Sequence, residues 1–161
     1  MSKLYEIRES PGKGLGCFAT QKIKLGTVIF REKLLIKVEK DSRDSRSHER
    51  EWKEVWNKFQ ALNLEDQAKY LSLMNKLTDL PKNGNPYFQV LNKEMTDLLK
   101  TMNLDKDDFQ KALNVLQISA TNSFCFGVGL EISRINHSCG PNAILHDKNA
   151  VDTINIRRLT P

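Results

Sequence analysis

The stretch from Arg134 to Asn142 holds the densest group of residues that could do chemistry. It reads Arg134-Ile-Asn-His-Ser-Cys-Gly-Pro-Asn142. The Asn136 amide can both donate and accept hydrogen bonds, and a neutral His137 offers one donor and one acceptor. Gly-Pro-Asn predicts a tight turn, and an apolar run follows directly at residues 143–145. The stretch predicts a polar site beside a hydrophobic core, although a polar turn with one buried histidine would also explain it.

A second candidate is the glycine-rich stretch Ser10-Pro-Gly-Lys-Gly-Leu-Gly16. Glycine takes positive φ angles without steric cost, so such a loop lets backbone N–H groups approach a ligand closely. A hairpin turn would explain the glycines equally well. No helical pattern follows the loop, which argues against a Rossmann or P-loop phosphate site.

Together, the two stretches resemble the SET-domain protein methyltransferases. Asn136–Asn142 matches the family signature Asn-His-Ser-Cys-x-Pro-Asn. The earlier stretch is similar to the opening of a SET domain, with Gly-x-Gly, an aromatic-Ala strand at Phe18-Ala19, a turn ending in Gly26 and an apolar strand. The chain resembles the split-SET branch, in which a long insertion separates two halves of the domain. That branch includes the SET-and-MYND proteins and their relatives without the MYND finger.

This resemblance implies S-adenosylmethionine as the cofactor. In the family the glycine loop cradles the cofactor and the Asn-His segment binds it. In split-SET proteins an Asn-Ser-Phe stretch after the helical insertion adds another contact, although a helix-capping role would equally explain that Asn here. The residues that inherit cofactor contacts are Lys13, Gly14, Leu15, Gly16, Asn122, Ile135, Asn136 and His137.

The implied reaction is methyl transfer to a lysine amine of a protein substrate, histone or non-histone. In the family a glycine with acidic residues and then a catalytic tyrosine follow the signature, but Tyr5, Tyr70 and Tyr87 all precede it. We therefore expect a C-terminally incomplete SET protein, inactive alone, whose catalytic tyrosine lies beyond Pro161. The alternative is a non-catalytic SET-like module that binds a partner protein.

The three cysteines, Cys17, Cys125 and Cys139, are widely spaced and form no Cys-x-x-Cys pair. They predict neither a disulfide framework nor a self-contained zinc finger. In SET proteins with a post-SET region, the signature cysteine joins three later cysteines around zinc. By this resemblance Cys139 is a metal ligand only in a longer chain with that region. Free cysteines indicate a reducing compartment, the nucleus or the cytoplasm.

Composition narrows the classes of partner. The 161 residues carry a net charge of +5, and residues 1–40 alone have nine Lys/Arg against four Asp/Glu. A basic face could meet nucleic acid, but these lysines are spread along strand-like segments, so we do not expect a nucleic-acid partner. No stretch reaches the length of a membrane-spanning helix and no signal peptide is recognisable, so we expect no membrane partner.

Hydrophobic periodicity predicts an α+β fold with β-rich halves on either side of a helical insertion. Short strands are expected at residues 3–9, 27–31, 34–39, 142–147 and 151–156. Residues 116–124 also have the composition of a strand. Residues 40–50 predict an exposed polar link. The domain boundaries are 1–40 for the N-terminal half, 41–118 for the insertion and 119–161 for the C-terminal half.

Four helices are expected in the insertion. The first has an apolar face of Trp52, Val55, Trp56 and Phe59 at i, i+3, i+4 and i+7. Asn63, Asn85 and Asp105 predict the N-caps of the next three. The second helix is expected to pack Leu64 inward and to continue to Leu77. We interpret the aromatic and methionine stripes as core and give His48 no role.

Overall fold

The computed structural model describes residues 3–38, 47–78, 85–124, 127–146 and 153–158. They belong to two compact units, one of residues 1–34 with 129–161 and the other of residues 35–128. We name the first the signature unit, because it contains Arg134–Asn142, and the second the helical unit. The mixture of strands and four helices confirms the predicted α+β class.

The elements follow one another in chain order within the described residues. They are β1 (Tyr5–Ser10), β2 (Gly14–Ala19), β3 (Val28–Lys33), β4 (Ile36–Lys37), α1 (Ser47–Gln60), α2 (Leu64–Leu71), α3 (Pro86–Lys100), α4 (Lys106–Asn122), β5 (Gly127–Val128), a 3₁₀ turn (Ile132–Arg134), β6 (Ala143–His146) and β7 (Thr153–Arg158).

The signature unit contains two antiparallel sheets. β1 and β2 form a hairpin in which Tyr5 lies opposite Ala19. β7 is the central strand of a three-stranded sheet with the order β3-β7-β6. The first and last parts of the chain are therefore hydrogen-bonded side by side, which brings the glycine-rich stretch and the polar stretch after the 3₁₀ turn into the same unit.

In the helical unit, local capping explains where three of the helices begin. The side chains of Asn63 and Asp105 accept hydrogen bonds from backbone N–H groups three residues later, and that of Asn85 accepts from the N–H of Tyr87. Pro86 occupies the first turn of α3, where its missing N–H has no helical partner to lose. All three predicted N-caps are confirmed.

The core of the helical unit contains the predicted stripe of α1. Phe59 is fully buried and packs edge-on against Tyr70, with ring centroids 5.4 Å apart. The Tyr70 hydroxyl donates to the carbonyl of Val115, 3.0 Å away, which satisfies its polar end inside the core. β4 lies near the start of this unit in the sequence and β5 at its end, and the two strands pair antiparallel.

Some sequence-based expectations about the helical unit are wrong. Residues 116–122 are not strand but the last two turns of α4, because Ala112, Val115 and Ser119 continue one buried helical face. The second helix ends at Leu71 rather than near Leu77, and Leu64 is 84% exposed because it lies in the first turn, outside the packed face. The strand expected at 34–39 is limited to Ile36–Lys37.

Other predictions about the organisation of the chain fall partly or wholly outside the described residues. Of the polar link at 40–50, residues 40–46 lie outside the described residues, while His48, Glu49 and Arg50 are exposed in the first turns of α1. Residues 147–152, which contain parts of two predicted strands, also lie outside the described residues. The three-part domain boundaries stay a prediction.

Candidate functional site

The glycine-rich stretch forms the turn of the β1–β2 hairpin. Three residues, Pro11, Gly12 and Lys13, connect the strands, and the Lys13 N–H donates to the Ser10 carbonyl at 2.9 Å. Gly12 and Gly14 have φ angles of 71° and 70°, which side chains rarely adopt, so glycine is required at both by the backbone. The turn leaves Lys13 exposed.

The polar stretch begins at the 3₁₀ turn Ile132–Arg134. Ile132 is fully buried, and the N–H of Ile135 donates to its carbonyl at 3.0 Å. Ile135 and Asn136 are half-buried, whereas the residues from His137 to Asn142 are exposed. The chain thus passes from core to surface along Ile135, Asn136 and His137, the three residues of this stretch that the sequence analysis places in the site.

A direct contact joins the two stretches. The Asn136 side-chain amide donates to the Leu15 carbonyl at 3.3 Å. Gly16 lies at the same point: a Cβ atom there would come within 2.9 Å of Asn136 Nδ2 and 2.9 Å of the Phe18 ring. The absence of a side chain at Gly16 therefore lets the signature segment approach the hairpin backbone closely.

Both stretches line one cavity of about 370 Å³ in the signature unit. A volume of that size lies within the range of small-molecule sites, about 300–1,000 Å³. The residues with predicted cofactor contacts that line it are Lys13, Gly16, Ile135, Asn136 and His137. Gly14 and Leu15 adjoin it through the hairpin, Leu15 by the carbonyl that holds Asn136.

Residues matching the SET domain profile extend from 14 to 161, which is most of the chain. The chain belongs to the SET domain family. Members of this family are generally S-adenosylmethionine-dependent protein-lysine methyltransferases that act on protein substrates. No curated protein matches the chain at a significant level.

Sequence reasoning missed several residues of the SET cavity wall. Tyr5, Phe18, Ile29, Ile156 and Arg158 line it as well. Phe18 could have been found by strand alternation, since Gly16 and Phe18 are two residues apart on β2. Nothing local reveals Arg158, because its place depends on pairing with a distant part of the chain: its N–H donates to the Thr27 carbonyl at 3.1 Å, and its own carbonyl accepts the N–H of Gly26 at 3.1 Å.

The charge of this SET protein is concentrated in the signature unit, which has eleven Lys/Arg against six Asp/Glu. The helical unit is neutral. Lys13 and Arg158 are the cations along the cavity wall, and the residues described there include no carboxylate. Arg158 is oriented by a 2.9 Å hydrogen bond from Nη1 to the carbonyl of Ile23. The cavity therefore favours a ligand with an anionic group.

Cys17 follows Gly16 and also lines the cavity. Burial raises the pKa of its thiol above the ordinary value of 9.0, and the positive charge of Lys3 opposes this rise. Cys17 is therefore a neutral thiol at physiological pH. It contributes a small apolar surface to the SET cavity rather than a nucleophile.

Asn122 lies in the helical unit as the last residue of α4. It is only 6% exposed, and its side-chain amide donates to the carbonyls of Met74 at 2.7 Å and Ile118 at 2.8 Å. These bonds tie the segment after α2 to α4, so the side chain has a structural role there. Its contact with a cofactor stays a prediction.

Cys139 is exposed, and its sulfur lies 3.2 Å from Nε2 of His137. Within the described parts of the chain, no group of three or more His, Cys, Asp or Glu side chains could hold a metal ion. A tetrahedral structural zinc needs about four ligands. Zinc at Cys139 thus stays a prediction for a chain with post-SET cysteines. Cys125 lies outside the described residues.

No helix in the described ranges has the length and apolar character needed to cross a bilayer. The helical unit nevertheless has exposed apolar side chains on α3. Tyr87 is 60% exposed and Val90 is 54% exposed, one turn apart.

Proposed function

We propose that the signature unit binds S-adenosylmethionine and that the chain is part of a split-SET protein-lysine methyltransferase. The observation that carries this proposal is that Asn136 contacts Leu15 directly, beside a cavity lined by both Gly16 and Asn136. The contact joins residues 121 positions apart, and they are the residues to which the family resemblance assigns the cofactor. A hairpin turn and an unrelated polar loop would have no reason to share a cavity.

The side chains of the cavity suit the two ends of the cofactor. Phe18, Ile29 and Ile135 offer an apolar wall of the kind that an adenine ring needs, while Lys13 and Arg158 offer positive charge to a carboxylate. When bound, S-adenosylmethionine supplies an electrophilic methyl group on a sulfonium. The chain's own contribution is to fix that methyl by holding both ends, since orientation supplies much of the barrier reduction in such a transfer.

Methyl transfer also requires a lysine amine without its proton, which a desolvated channel favours by lowering the lysine pKa. A SET tyrosine near the methyl belongs to a stretch that comes after the signature, and the sequence up to Pro161 has no tyrosine there. Residues 1–161 are therefore expected to bind the cofactor without efficient turnover. The partner is a protein lysine, and the setting is the nucleus or the cytoplasm.

Calorimetric titration of S-adenosylhomocysteine into residues 1–161 tests the proposal. We expect one binding site, and we expect Asn136→Ala to weaken binding about tenfold or more, because it removes the amide that joins the signature to the hairpin. Asn57→Ala is the matched control, since Asn57 is exposed on α1. Absence of binding by the parent chain would reject the proposal.

A non-catalytic interaction module is the second candidate. The exposed pair Tyr87 and Val90 on α3 favours it, because exposed aromatic and aliphatic side chains one turn apart are typical of helix-mediated contacts. A parent chain that fails to bind S-adenosylhomocysteine, and that binds a partner protein unless Tyr87→Ser is present, would support the module instead of the enzyme.

A further inference from the structure

The carboxylate of Glu32 on β3 binds two backbone N–H groups just before the signature. One carboxylate oxygen accepts the N–H of Glu131 and the other accepts the N–H of Ile132, both at 2.8 Å. The two ends of this contact are about one hundred residues apart in sequence. Hydrogen bonds to an ionised acceptor are roughly twice as strong as neutral ones, so the carboxylate is a firm anchor for these two amides.

Gly129 leaves the space that this anchor needs. A Cβ atom at Gly129 would lie 2.7 Å from Oε2 of Glu32 and 2.8 Å from its carboxylate carbon. Any side chain at that position would push the carboxylate away from the Glu131 and Ile132 amides. The glycine and the acid therefore form one feature of the fold.

Hydrogen bonds continue from this anchor to the cofactor segment Ile135–His137. The Glu131 carbonyl accepts the N–H of Arg134 at 3.0 Å, and the Ile132 carbonyl accepts the N–H of Ile135 at 3.0 Å. Glu131 is held from its other side as well, because its carboxylate accepts from Tyr5 and from Lys3. The 3₁₀ turn thus has a fixed position at the residue where the cofactor segment begins.

We propose that Glu32 is a positioning residue for the cofactor segment. Its carboxylate fixes the 3₁₀ turn, the turn fixes Ile135, and the Asn136 amide then reaches the Leu15 carbonyl. The cofactor segment is held between these two anchors. Glu32 itself does not line the cavity. The inference rests on the proposed function, since the segment matters through the cofactor that it binds.

Glu32→Gln is the sharpest variant, because it keeps the size of the side chain while it removes the negative charge and one hydrogen-bond acceptor. The amide offers one acceptor oxygen, and its NH₂ group faces a backbone N–H, so one of the two hydrogen bonds is lost. We expect S-adenosylhomocysteine affinity to fall about tenfold, the scale of one charge-assisted hydrogen bond. The titration is done well below the melting temperature of each variant, where a purely stabilising residue would leave affinity unchanged.

Backbone amide NMR signals provide a readout that does not need the ligand. Glu32→Gln is expected to move the signals of Ile135, Asn136 and His137 as well as those of Glu131 and Ile132. Glu6→Gln is the matched control, an exposed glutamate of the same unit that forms an ion pair with exposed Arg8. It is expected to leave those signals and the affinity as in the parent.

Gly129→Ala is a second, independent way to displace the Glu32 carboxylate, and it decides the matter if Glu32→Gln does not fold. We expect it to cause the same amide shifts and the same loss of affinity. The inference is overturned if the folded variants move only the signals of Glu131 and Ile132 and bind the ligand like the parent. If the parent chain binds no ligand, the proposed function fails, and the shifts of Ile135–His137 alone support or overturn the positioning role.

Discussion

Asn122 and Asn136 show how differently the two units of this chain use the same side chain. In the helical unit, Asn122 is buried and its amide is held by two backbone carbonyls. In the signature unit, Asn136 is half-buried at a cavity, and its amide makes a 3.3 Å contact with the hairpin. The first side chain stabilises a core, and the second leaves a surface open to a ligand.

The cores of the two units differ in the same way. Among the described residues, eighteen buried apolar side chains lie in the helical unit and six in the signature unit. Burial of apolar surface is the dominant favourable contribution to folding, so the helical unit has the larger reserve of stability. The signature unit has instead a cavity, exposed polar residues and most of the net charge. We infer that substitutions in the helical unit act mainly on stability, while those at the signature act mainly on ligand binding.

Phe59→Ala is the substitution for which we expect the largest loss of stability in the helical unit. The ring is fully buried, stacked near Trp56 at 5.9 Å and edge-on to Tyr70. Removing such a side chain costs about 3–5 kcal/mol through lost burial and the cavity left behind. Urea unfolding followed by tryptophan fluorescence measures this directly, because both tryptophans lie on α1 in the helical unit.

Val90→Ala is the matched control for the loss of an apolar side chain. Val90 is 54% exposed, so the free energy of unfolding of the Val90→Ala variant is expected to stay within about 0.5 kcal/mol of the parent value. Equal losses for the two variants would show that the helical unit has no organised core around Phe59.

Alanine substitutions of the two asparagines test whether Asn122 acts on stability and Asn136 on ligand binding. Asn122→Ala leaves the Met74 carbonyl without this donor inside the helical unit, and we expect a loss of about 1–3 kcal/mol in the free energy of unfolding. Asn136→Ala is expected to lower that free energy by less, about 0.5 kcal/mol, the lower end for one hydrogen bond, because Asn136 is only half-buried and its bond to Leu15 is long. Urea unfolding and ligand titration of both variants separate stability from binding. A larger loss of stability from Asn136→Ala would reverse our assignment of roles.

Gly16→Ala is expected to have a smaller effect on stability and a clear effect on binding. The new methyl would meet the ends of two side chains, Asn136 and Phe18, which can move aside. The expected cost in unfolding free energy is therefore near the lower end for overpacking, about 1 kcal/mol. The Asn136 amide would leave the Leu15 carbonyl, so ligand affinity is expected to fall about tenfold.

Gly140→Ala is the control for Gly16→Ala within the same unit. A Cβ atom at Gly140 meets nothing within 4 Å, and its backbone does not require glycine. We expect its free energy of unfolding to match that of the parent. If both alanines had the same effect on stability, the close approach at Gly16 would not be the cause.

Local signals in the sequence correctly predict where three helices of the helical unit begin, because each start depends on residues within a single turn. Asn63, Asn85 and Asp105 each begin a helix because their side chains satisfy N–H groups that the helix leaves without partners. The end of α4 was predicted wrongly because Ile118 and Thr121 have strand propensity. Packing of the face that includes Val115 and Ser119 outweighs this propensity.

The signature unit could be predicted only in part, because its site depends on contacts between distant residues. The family resemblance indicated the glycine loop and the Asn-His segment, but not that Asn136 contacts Leu15. Nor could the sequence predict the places of Tyr5, Arg158 and Glu32, since each depends on a partner about one hundred residues or more away. Strand pairing across the whole chain determines these contacts, and no local pattern specifies that pairing.

The smallest expected effect concerns the cysteines of the signature unit. Only the thiolate reacts with iodoacetamide, and burial raises the pKa of Cys17 despite the opposing charge of Lys3. Cys139 is exposed. At pH 8 we expect Cys17 to be alkylated more slowly than the exposed Cys139, as measured by mass spectrometry of separate peptides, and bound S-adenosylhomocysteine is expected to slow only Cys17 further.

The same raised pKa gives a sign for the pH dependence of stability. Between the ordinary value of 9.0 and its higher folded value, the folded chain keeps the Cys17 proton that the unfolded chain loses. The contribution of Cys17 to stability is therefore present below pH 9 and decreases as the pH rises above it. Lys3→Gln removes the opposing charge and is expected to slow alkylation of Cys17 further, whereas Lys22→Gln, at an exposed position of the same unit, is expected to leave the rate unchanged. Faster alkylation of Cys17 than of Cys139 in the parent would mean that the cavity wall around Gly16 is open to water, and that the signature unit is less well packed than its contacts indicate.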